Sequence, residues 1–320
     1  MRETIVQNNE QKIVVMGAGA VGCYFGGMLS RAGHDVTLIA RPEHVNAIRD
    51  HGLHMDCMTF QEFVAVHAST ELDAIKGADL ILFCVKSPDT LATIELIRPY
   101  LKSEAIILSL QNGVDNCERI RSVVDNPVFP AVVYVATMMA GPGRLKHNGR
   151  GELVIGPWES TEPESNAAQM QVLGEIAALL ANAGIPCPVS QDVRRDLWFK
   201  FLVNCSYNAI SAIGQIEYGK MVSVDSVKEL IDALADEVLA IAHHEQINIT
   251  KAEAKQANDM IANTMVAQRS STAQDIARKK STEIDFLNGL VASKGRAYGI
   301  PTPANQSVYA LVKMMEKFNH

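Results

Sequence analysis

A glycine-rich turn directly behind the first apolar run constrains this chain more than any other feature. Ile13-Val14-Val15-Met16 is too short for a helix and rich in β-branched residues, so Lys12–Met16 reads as a buried strand. Gly17-Ala18-Gly19-Ala20-Val21-Gly22 follows at once and opens a small-residue helical stretch to Ala32, with Gly33 as its C-cap. In a strand-turn-helix setting each glycine has its own task. Gly17 permits the tight turn, Gly19 lets the backbone approach a pyrophosphate, and Gly22 lets the helix pack close to the strand. The helix N-terminus, reached through Ala18, Ala20 and Val21, offers N–H groups to the phosphates. The spacing predicts a dinucleotide site.

The second strand, Val36–Ala40, indicates which dinucleotide. A site built for NAD places an acid at the end of this strand to hold the ribose 2′-hydroxyl. Here the strand ends Leu38-Ile39-Ala40-Arg41, with no acid, and Arg41 offers a planar fork suited to a 2′-phosphate. The expectation is NADPH/NADP.

Further apolar strands are expected at Leu80–Val85 and Ala105–Leu110, the first followed by Ser87-Pro88 as N-cap and first helical residue. Val128–Ala136 and Glu152–Ile155 read as strands separated by the turn-rich Gly141-Pro142-Gly143 and Asn148-Gly149. Strands alternating with helices predict a parallel sheet covered on both faces. From 166 onward the pattern is helical, over about 166–183, 191–213, 223–247, 251–268, 279–298 and 304–317. The expected fold class is α/β, an N-terminal Rossmann-like dinucleotide-binding domain plus a C-terminal all-helical domain. The expected division is a polar N-terminal extension at 1–11, the NADP-binding domain at 12–188 and the helical substrate domain at 189–320, with the active site expected in a cleft between them.

Charge and cysteine content narrow the class. Lys plus Arg is 29 against 36 for Asp plus Glu, a formal net charge of −7, so no global field favours polyanions and no nucleic-acid partner is expected. The densest basic run, Arg278-Lys279-Lys280, reads as a solvated helix end. Six cysteines stand apart, with no Cys-x-x-Cys pair, as reduced core residues of a cytoplasmic chain with no metal site. No apolar run approaches the ~20 residues of a membrane span.

In the stretch 191–213, Lys200, Asn204 and Asn208 are spaced i, i+4, i+8 along one face of a largely apolar helix. Burying an ammonium and two amides is costly unless they are partnered. Such a lysine can donate a proton to a developing alkoxide, as carbonyl reduction requires; it can equally snorkel to solvent, and spacing alone leaves both open. Ser271 suits a substrate oxygen and Glu283 a lysine partner, although a helix-helix turn and a first helical turn explain them as well.

Taken together these residues resemble the ketopantoate reductase (2-dehydropantoate 2-reductase) family over roughly residues 12–315. The motifs are Gly-Ala-Gly-Ala-Val-Gly at 17–22, Lys86, Leu110-Gln111-Asn112-Gly113, and Lys200-x-x-x-Asn204-x-x-x-Asn208. Ser271-x-x-x-Asp275-Ile276 and Thr282-Glu283-Ile284-Asp285 with Asn288-Gly289 complete the set. The resemblance implies NADPH-dependent reduction of ketopantoate to pantoate on the way to pantothenate and coenzyme A. It implies that Lys200 is the general acid and that Glu283 supports binding and catalysis. It further implies that Asn112, Asn204, Asn208 and Ser271 bind substrate oxygens, and that Arg41 and Lys86 contact the adenosine-phosphate end of the cofactor, with Asn112 also at the cofactor. Gln215–Asp225 matches no pantoate-specific pattern, and His147 reads either as approaching a ribose or as capping a turn.

Three alternatives stand beside this reading. One is the same chemistry on another small 2-oxo acid. The second is a non-catalytic NADP-binding regulatory module, against which the proton-donor set speaks. The third is a hydroxyacid dehydrogenase acting in oxidation, against which Arg41 speaks. Apolar faces in the helical half leave a homodimer open.

Overall fold

A computed structural model describes residues 11–158 and 163–318; the expected extension therefore lies outside the described residues except for Gln11. The chain divides into two compact units, Met1–Val193 and Arg194–His320.

The first unit runs β1 (Lys12–Met16), α1 (Ala20–Arg31), β2 (Asp35–Ile39), α2 (Pro42–His51), β3 (Leu53–Asp56), β4 (Gln61–Val64) and β5 (His67–Ser69). It continues β6 (Leu80–Phe83), α3 (Thr90–Ile97), β7 (Ile106–Ser109), α4 (Asn116–Arg121), β8 (Val128–Gly141), β9 (Arg144–Ile155) and α5 (Pro163–Asn182). The strands form one sheet in the order β4-β3-β9-β8-β7-β6-β1-β2-β5. Six of them, from β5 through β2, β1, β6 and β7 to β8, pair in parallel, which is the doubly wound Rossmann order. The sheet as a whole is mixed rather than parallel, because β8 turns back into β9 and β3 turns back into β4, both antiparallel.

Both faces of the parallel part are covered, which is why β1, β6 and β7 read as nearly unbroken apolar runs. Ile13 and Val15 face α1 and α5, packing with Phe25, Leu29 and Leu180. Val14 and Met16 face α3 and α4, packing with Ile94, Ile97 and Ile120. At the end of α1 the Gly33 N–H donates to the Ser30 carbonyl and the His34 N–H to that of Leu29, the paired Schellman closure, with Gly33 at φ +92°.

Several local expectations change. Asn148-Gly149 does not separate two strands: β9 runs through it as a bulge, with positive φ at Gly149, Arg150 and Gly151. Ser87 is not the N-cap of α3, whose first residue is Thr90; it lies in a short 3₁₀ turn and is fully buried. The short strands β3, β4 and β5 occupy a stretch where the sequence pattern indicates none, since strands of three or four residues carry no clear period.

The second unit contains α6 (Val193–Gly214, whose first residue belongs to the first unit), α7 (Tyr218–Met221), α8 (Asp225–His244), α9 (Lys251–Thr264), α10 (Ser271–Ala277), α11 (Asn288–Tyr298) and α12 (Pro303–Phe318). The helix expected over 279–298 is broken. Arg278 ends α10, Lys279 takes the left-handed φ of +54°, and α11 begins only at Asn288 after a 3₁₀ turn at Ile284–Phe286. The basic run is exposed and closes α10, where cations suit the carbonyl end of a helix. Ala209 and Ala212 of α6, Leu234 of α8, Ala273 of α10 and Val312 of α12 make its core.

No helix among the described residues is long and apolar enough to cross a membrane, and no metal-binding cluster of His, Cys, Asp or Glu occurs among them. The cysteines are free thiols. Burial pushes Cys23, Cys117 and Cys187 up to about 12 and the half-buried Cys57 to about 11, and it raises Cys84 and Cys205 further. Thiolate is the reactive form, so the native protein at pH 8 should react slowly with a thiol reagent, Cys57 first. Mass spectrometry of the modified protein before and after denaturation checks this; rapid native labelling of Cys23 or Cys205 would contradict it.

Candidate functional site

The register of the parallel strands gathers the first group of candidate residues. Met16 pairs with both Ile39 and Phe83, and Phe83 with Ser109, so β1, β2, β6 and β7 end together. The residues that follow them are the glycine loop, Arg41, Lys86 and Asn112, all on one edge of the sheet. Strand order reverses at β1, whose chain goes to β2 on one side while β6 returns on the other. This is the switch point where doubly wound sheets take their ligands.

The three glycines of the loop differ in what they meet. Gly17 has φ +90°, and a Cβ there would lie 2.7 Å from Val85 Cγ1 and 2.8 Å from the Val85 nitrogen. A Cβ on Gly22 would lie 2.8 Å from both the Gly17 carbonyl oxygen and Val15 Cγ1, so α1 is packed against the strand with no room for a methyl group. Gly19 is exposed with φ −80° and ψ −157°, and a Cβ there would meet nothing within 4 Å. Neither backbone strain nor protein packing asks for glycine at 19; a group approaching from outside would. Gly19 is the N-cap of α1, makes no side-chain cap, and no acid stands in the first turn. The first-turn N–H groups and the positive end of the helix dipole therefore face an uncompensated position suited to an anion. Ala18 is buried and its N–H donates to the Ile39 carbonyl at 2.9 Å, while Ala20 and Val21 begin the helix half-buried.

Arg41 is exposed and precedes Pro42 at the start of α2, and Lys86 is exposed at the start of the turn after β6. Asn112 is half-buried; its carbonyl accepts from Ser87 Oγ at 2.9 Å and from Asn116 Nδ2 at 2.7 Å. His147 serves the bulge of β9: its Nε2 lies 2.6 Å from the Arg150 carbonyl and its ring packs on Tyr24, with centroids 4.6 Å apart.

The second unit assembles the other candidates around α6. Lys200 and Asn204 are half-buried and Asn208 is buried. The Asn208 carbonyl accepts from Ser270 Oγ at 3.0 Å, and Ser270 Oγ in turn accepts from the Ala273 N–H as N-cap of α10. Ser270 is thus the structural serine, and Ser271 is the exposed first residue of α10 beside it. The 282–289 motif anchors to the same helix: Asn288 Nδ2 donates to the Cys205 carbonyl at 2.9 Å, and Ile284 packs with Ala209. Glu283 is half-buried and precedes that turn. Thr282 is held by Glu316, whose carboxylate accepts from its N–H at 2.8 Å and its hydroxyl at 2.6 Å. Burial opposes the charge on Glu316, but Lys313 and Thr282 outweigh it and hold the carboxyl below its usual range.

Tyr218 is a neighbour that spacing does not reveal. Its hydroxyl donates to Asn208 Oδ1 at 3.4 Å, which brings the unmatched segment Gln215–Asp225 against the polar line of α6. A cavity of about 400 Å³ beside α10 and α12, bordered by Lys279, Lys280, Lys313, Glu316 and Lys317 among others, is lined by none of Lys200, Asn204, Asn208, Ser271 and Glu283.

Comparison with known proteins finds matches to both halves of the chain. The profile of the family described as ketopantoate reductase PanE/ApbA matches residues 13–160, and that of the ketopantoate reductase PanE/ApbA C terminal matches residues 192–316. The 2-dehydropantoate 2-reductase of Vibrio cholerae is 30% identical over 306 residues, covering 95% of this chain and 98% of that one. That of Pyrococcus horikoshii is 29% identical over 308 residues, with 95% and 97% covered. A PanE/ApbA family ketopantoate reductase from Ralstonia eutropha JMP134 superposes with a TM-score of 0.89 at 48% identity, covering 97% of this chain and 99% of that one. A D-mandelate dehydrogenase, in a ternary structure with NADH and anilino(oxo)acetate, shares the fold at a TM-score of 0.89 and 24% identity, with 97% and 99% covered. With both halves matched, the chain belongs to the ketopantoate reductase PanE/ApbA family.

Proposed function

We propose that the protein is a cytoplasmic NADPH-dependent oxidoreductase that reduces 2-dehydropantoate to pantoate, the step that serves pantothenate and coenzyme A synthesis. The observation that carries the reading is end-to-end likeness to relatives named 2-dehydropantoate 2-reductase, 30% identical in the case of Vibrio cholerae. The cofactor part is supported by Gly19, a glycine that only an external group requires, and by Arg41 in place of an acid after β2.

The residues divide the work. Gly17 and Gly22 hold the turn, Gly19 leaves space for a pyrophosphate, and the first turn of α1 donates to it. Arg41 and Lys86 pair with the adenosine-phosphate end, and Asn112 orients substrate and cofactor. NADPH, when bound, supplies the hydride for the C2 carbonyl. Lys200 stabilises the oxygen as it gains charge and gives it a proton, Glu283 supports that lysine, and Asn204, Asn208 and Ser271 bind the other substrate oxygens.

Initial rates of NADPH oxidation with 2-dehydropantoate, 2-oxoisovalerate, 2-oxobutyrate and pyruvate, each repeated with NADH, test the proposal. A kcat/KM for 2-dehydropantoate near or above ~10⁴ M⁻¹s⁻¹, well above the other acids and higher with NADPH than with NADH, is expected. Binding of NADPH without reduction of 2-dehydropantoate would leave the cofactor assignment standing and remove the substrate assignment.

Lys200→Ala should lower kcat by about 10²–10⁴-fold while the dissociation constant for NADPH moves little; equal loss of both would remove the general-acid role. The glycines should separate in the same way. Gly22→Ala should destabilise the protein by about 1–3 kcal/mol in a denaturant titration because its methyl group has no space. Gly19→Ala should leave stability nearly unchanged and weaken NADPH binding by about tenfold or more, about 1.4 kcal/mol. Unchanged NADPH affinity in Gly19→Ala would show that the open space at residue 19 is not used.

A further inference from the structure

Behind the edge that carries Lys86 and Asn112 lies a buried polar network that neither role explains. Ser87, Thr90, Ser109, Gln111 and Asn116 are each at most 6% exposed. Thr90 and Asn116 are the first residues of α3 and α4, so each closes one of the two loops that leave β6 and β7. Their side chains cross between those loops. The Thr90 hydroxyl donates to Asn116 Oδ1 at 3.0 Å and accepts from Gln111 Nε2 at 2.7 Å. Gln111 Nε2 also donates to the Val85 carbonyl at 3.1 Å, while its Oε1 accepts from Ser109 Oγ at 3.0 Å. Asn116 Nδ2 donates to the Asn112 carbonyl at 2.7 Å and to Ser87 Oγ at 3.2 Å, and Ser87 Oγ donates to the Asn112 carbonyl at 2.9 Å.

We infer that Thr90 is a positioning residue for dinucleotide binding, an inference that rests on the cofactor reading above. Its hydroxyl ties the Gln111 amide of the second loop to the Asn116 amide that holds Asn112. Through Val85 on one side and Asn112 on the other, it fixes the two loops in a single relative arrangement, and Lys86 and Asn112 stand on those loops. Five buried polar side chains cost free energy unless every bond is made, so the arrangement in which all are made is strongly preferred over displaced ones. Removing the central hydroxyl leaves Gln111 Nε2 and Asn116 Oδ1 each short of one partner and lets displaced arrangements compete. Affinity for a ligand that needs both loops then falls by the fraction of molecules still correctly arranged.

Thr90→Val replaces the hydroxyl by a methyl group of the same shape, and Thr90→Ser keeps it. The dissociation constant for NADPH, measured by fluorescence titration at 25 °C, should rise about tenfold in Thr90→Val, about 1.4 kcal/mol, and stay within about twofold of the parent in Thr90→Ser. At saturating NADPH, which repopulates the correct arrangement of the loops, kcat should change little. A residue that only stabilises the fold would lower the melting temperature without moving the dissociation constant at a temperature where the protein is folded. An unchanged dissociation constant in Thr90→Val overturns the inference while parental binding of NADPH keeps the proposed function. A parent that binds neither NADPH nor NADH overturns both. Should Thr90→Val not fold, Ser87→Ala, which removes one bond to Asn112 and one acceptor of Asn116, is read by the same criteria.

Discussion

The close approach of α1 to the sheet is the constraint on which the rest of the first unit depends. A methyl group at Gly22 would press on Val15, at Gly26 on Val15 and Leu38, and at Gly27 on Leu53 and Met55, each at under 3.0 Å. Three helix positions thus give up their side chains so that the helix backbone can rest on β1, β2 and β3. That contact aims the N-terminus of α1 at the edge where β1, β2, β6 and β7 end together. The dipole of the helix, the left-handed turn at Gly17 and the open space over Gly19 all take their position from it.

The second unit is organised by different physics. Its candidate residues lie on and around one long helix, and polar groups buried in the core set where neighbouring helices attach. Asn288 donates to the Cys205 carbonyl and to Asn305 Oδ1, Asn305 donates to Glu237, and Glu237 also accepts from the N–H groups that open α12. Ser270 fixes α10 to the Asn208 carbonyl in the same manner. Apolar surface such as Ala209, Leu234 and Val312 drives these helices together without choosing a register, whereas a buried hydrogen bond that has to be made does choose one. Asn204, Asn208, Ser271 and the 282–289 motif owe their common neighbourhood to those bonds.

Much of this was legible in residue order. The glycine turn after β1, the absence of an acid after β2, the apolar strands and the i, i+4, i+8 line on α6 are local patterns, readable because period and turn chemistry act over a few residues. The illegible parts share one cause. Asn148-Gly149 carries the composition of a turn, yet it is a bulge because β8 offers a partner on both sides of it. Ser87-Pro88 carries the composition of a helix start, yet the hydroxyl is drawn inward by Asn112 and Asn116, which lie 25 and 29 residues away in the chain. Between 279 and 298 the helical pattern is interrupted because Thr282 is held by Glu316.

Residue order was enough to place a dinucleotide-type strand-turn-helix at Lys12–Arg31, a helical second half, and the candidate side chains for a carbonyl reduction, since those are properties of local spacing and residue type. Only the tertiary structure decided that β9, β3 and β4 extend the sheet as a mixed one, that Ser270 rather than Ser271 caps α10, and that Thr90, Gln111 and Asn116 lock two loops together. Each of those outcomes depends on hydrogen bonds between groups far apart in the chain, and such partners have no signature in a window of neighbouring residues.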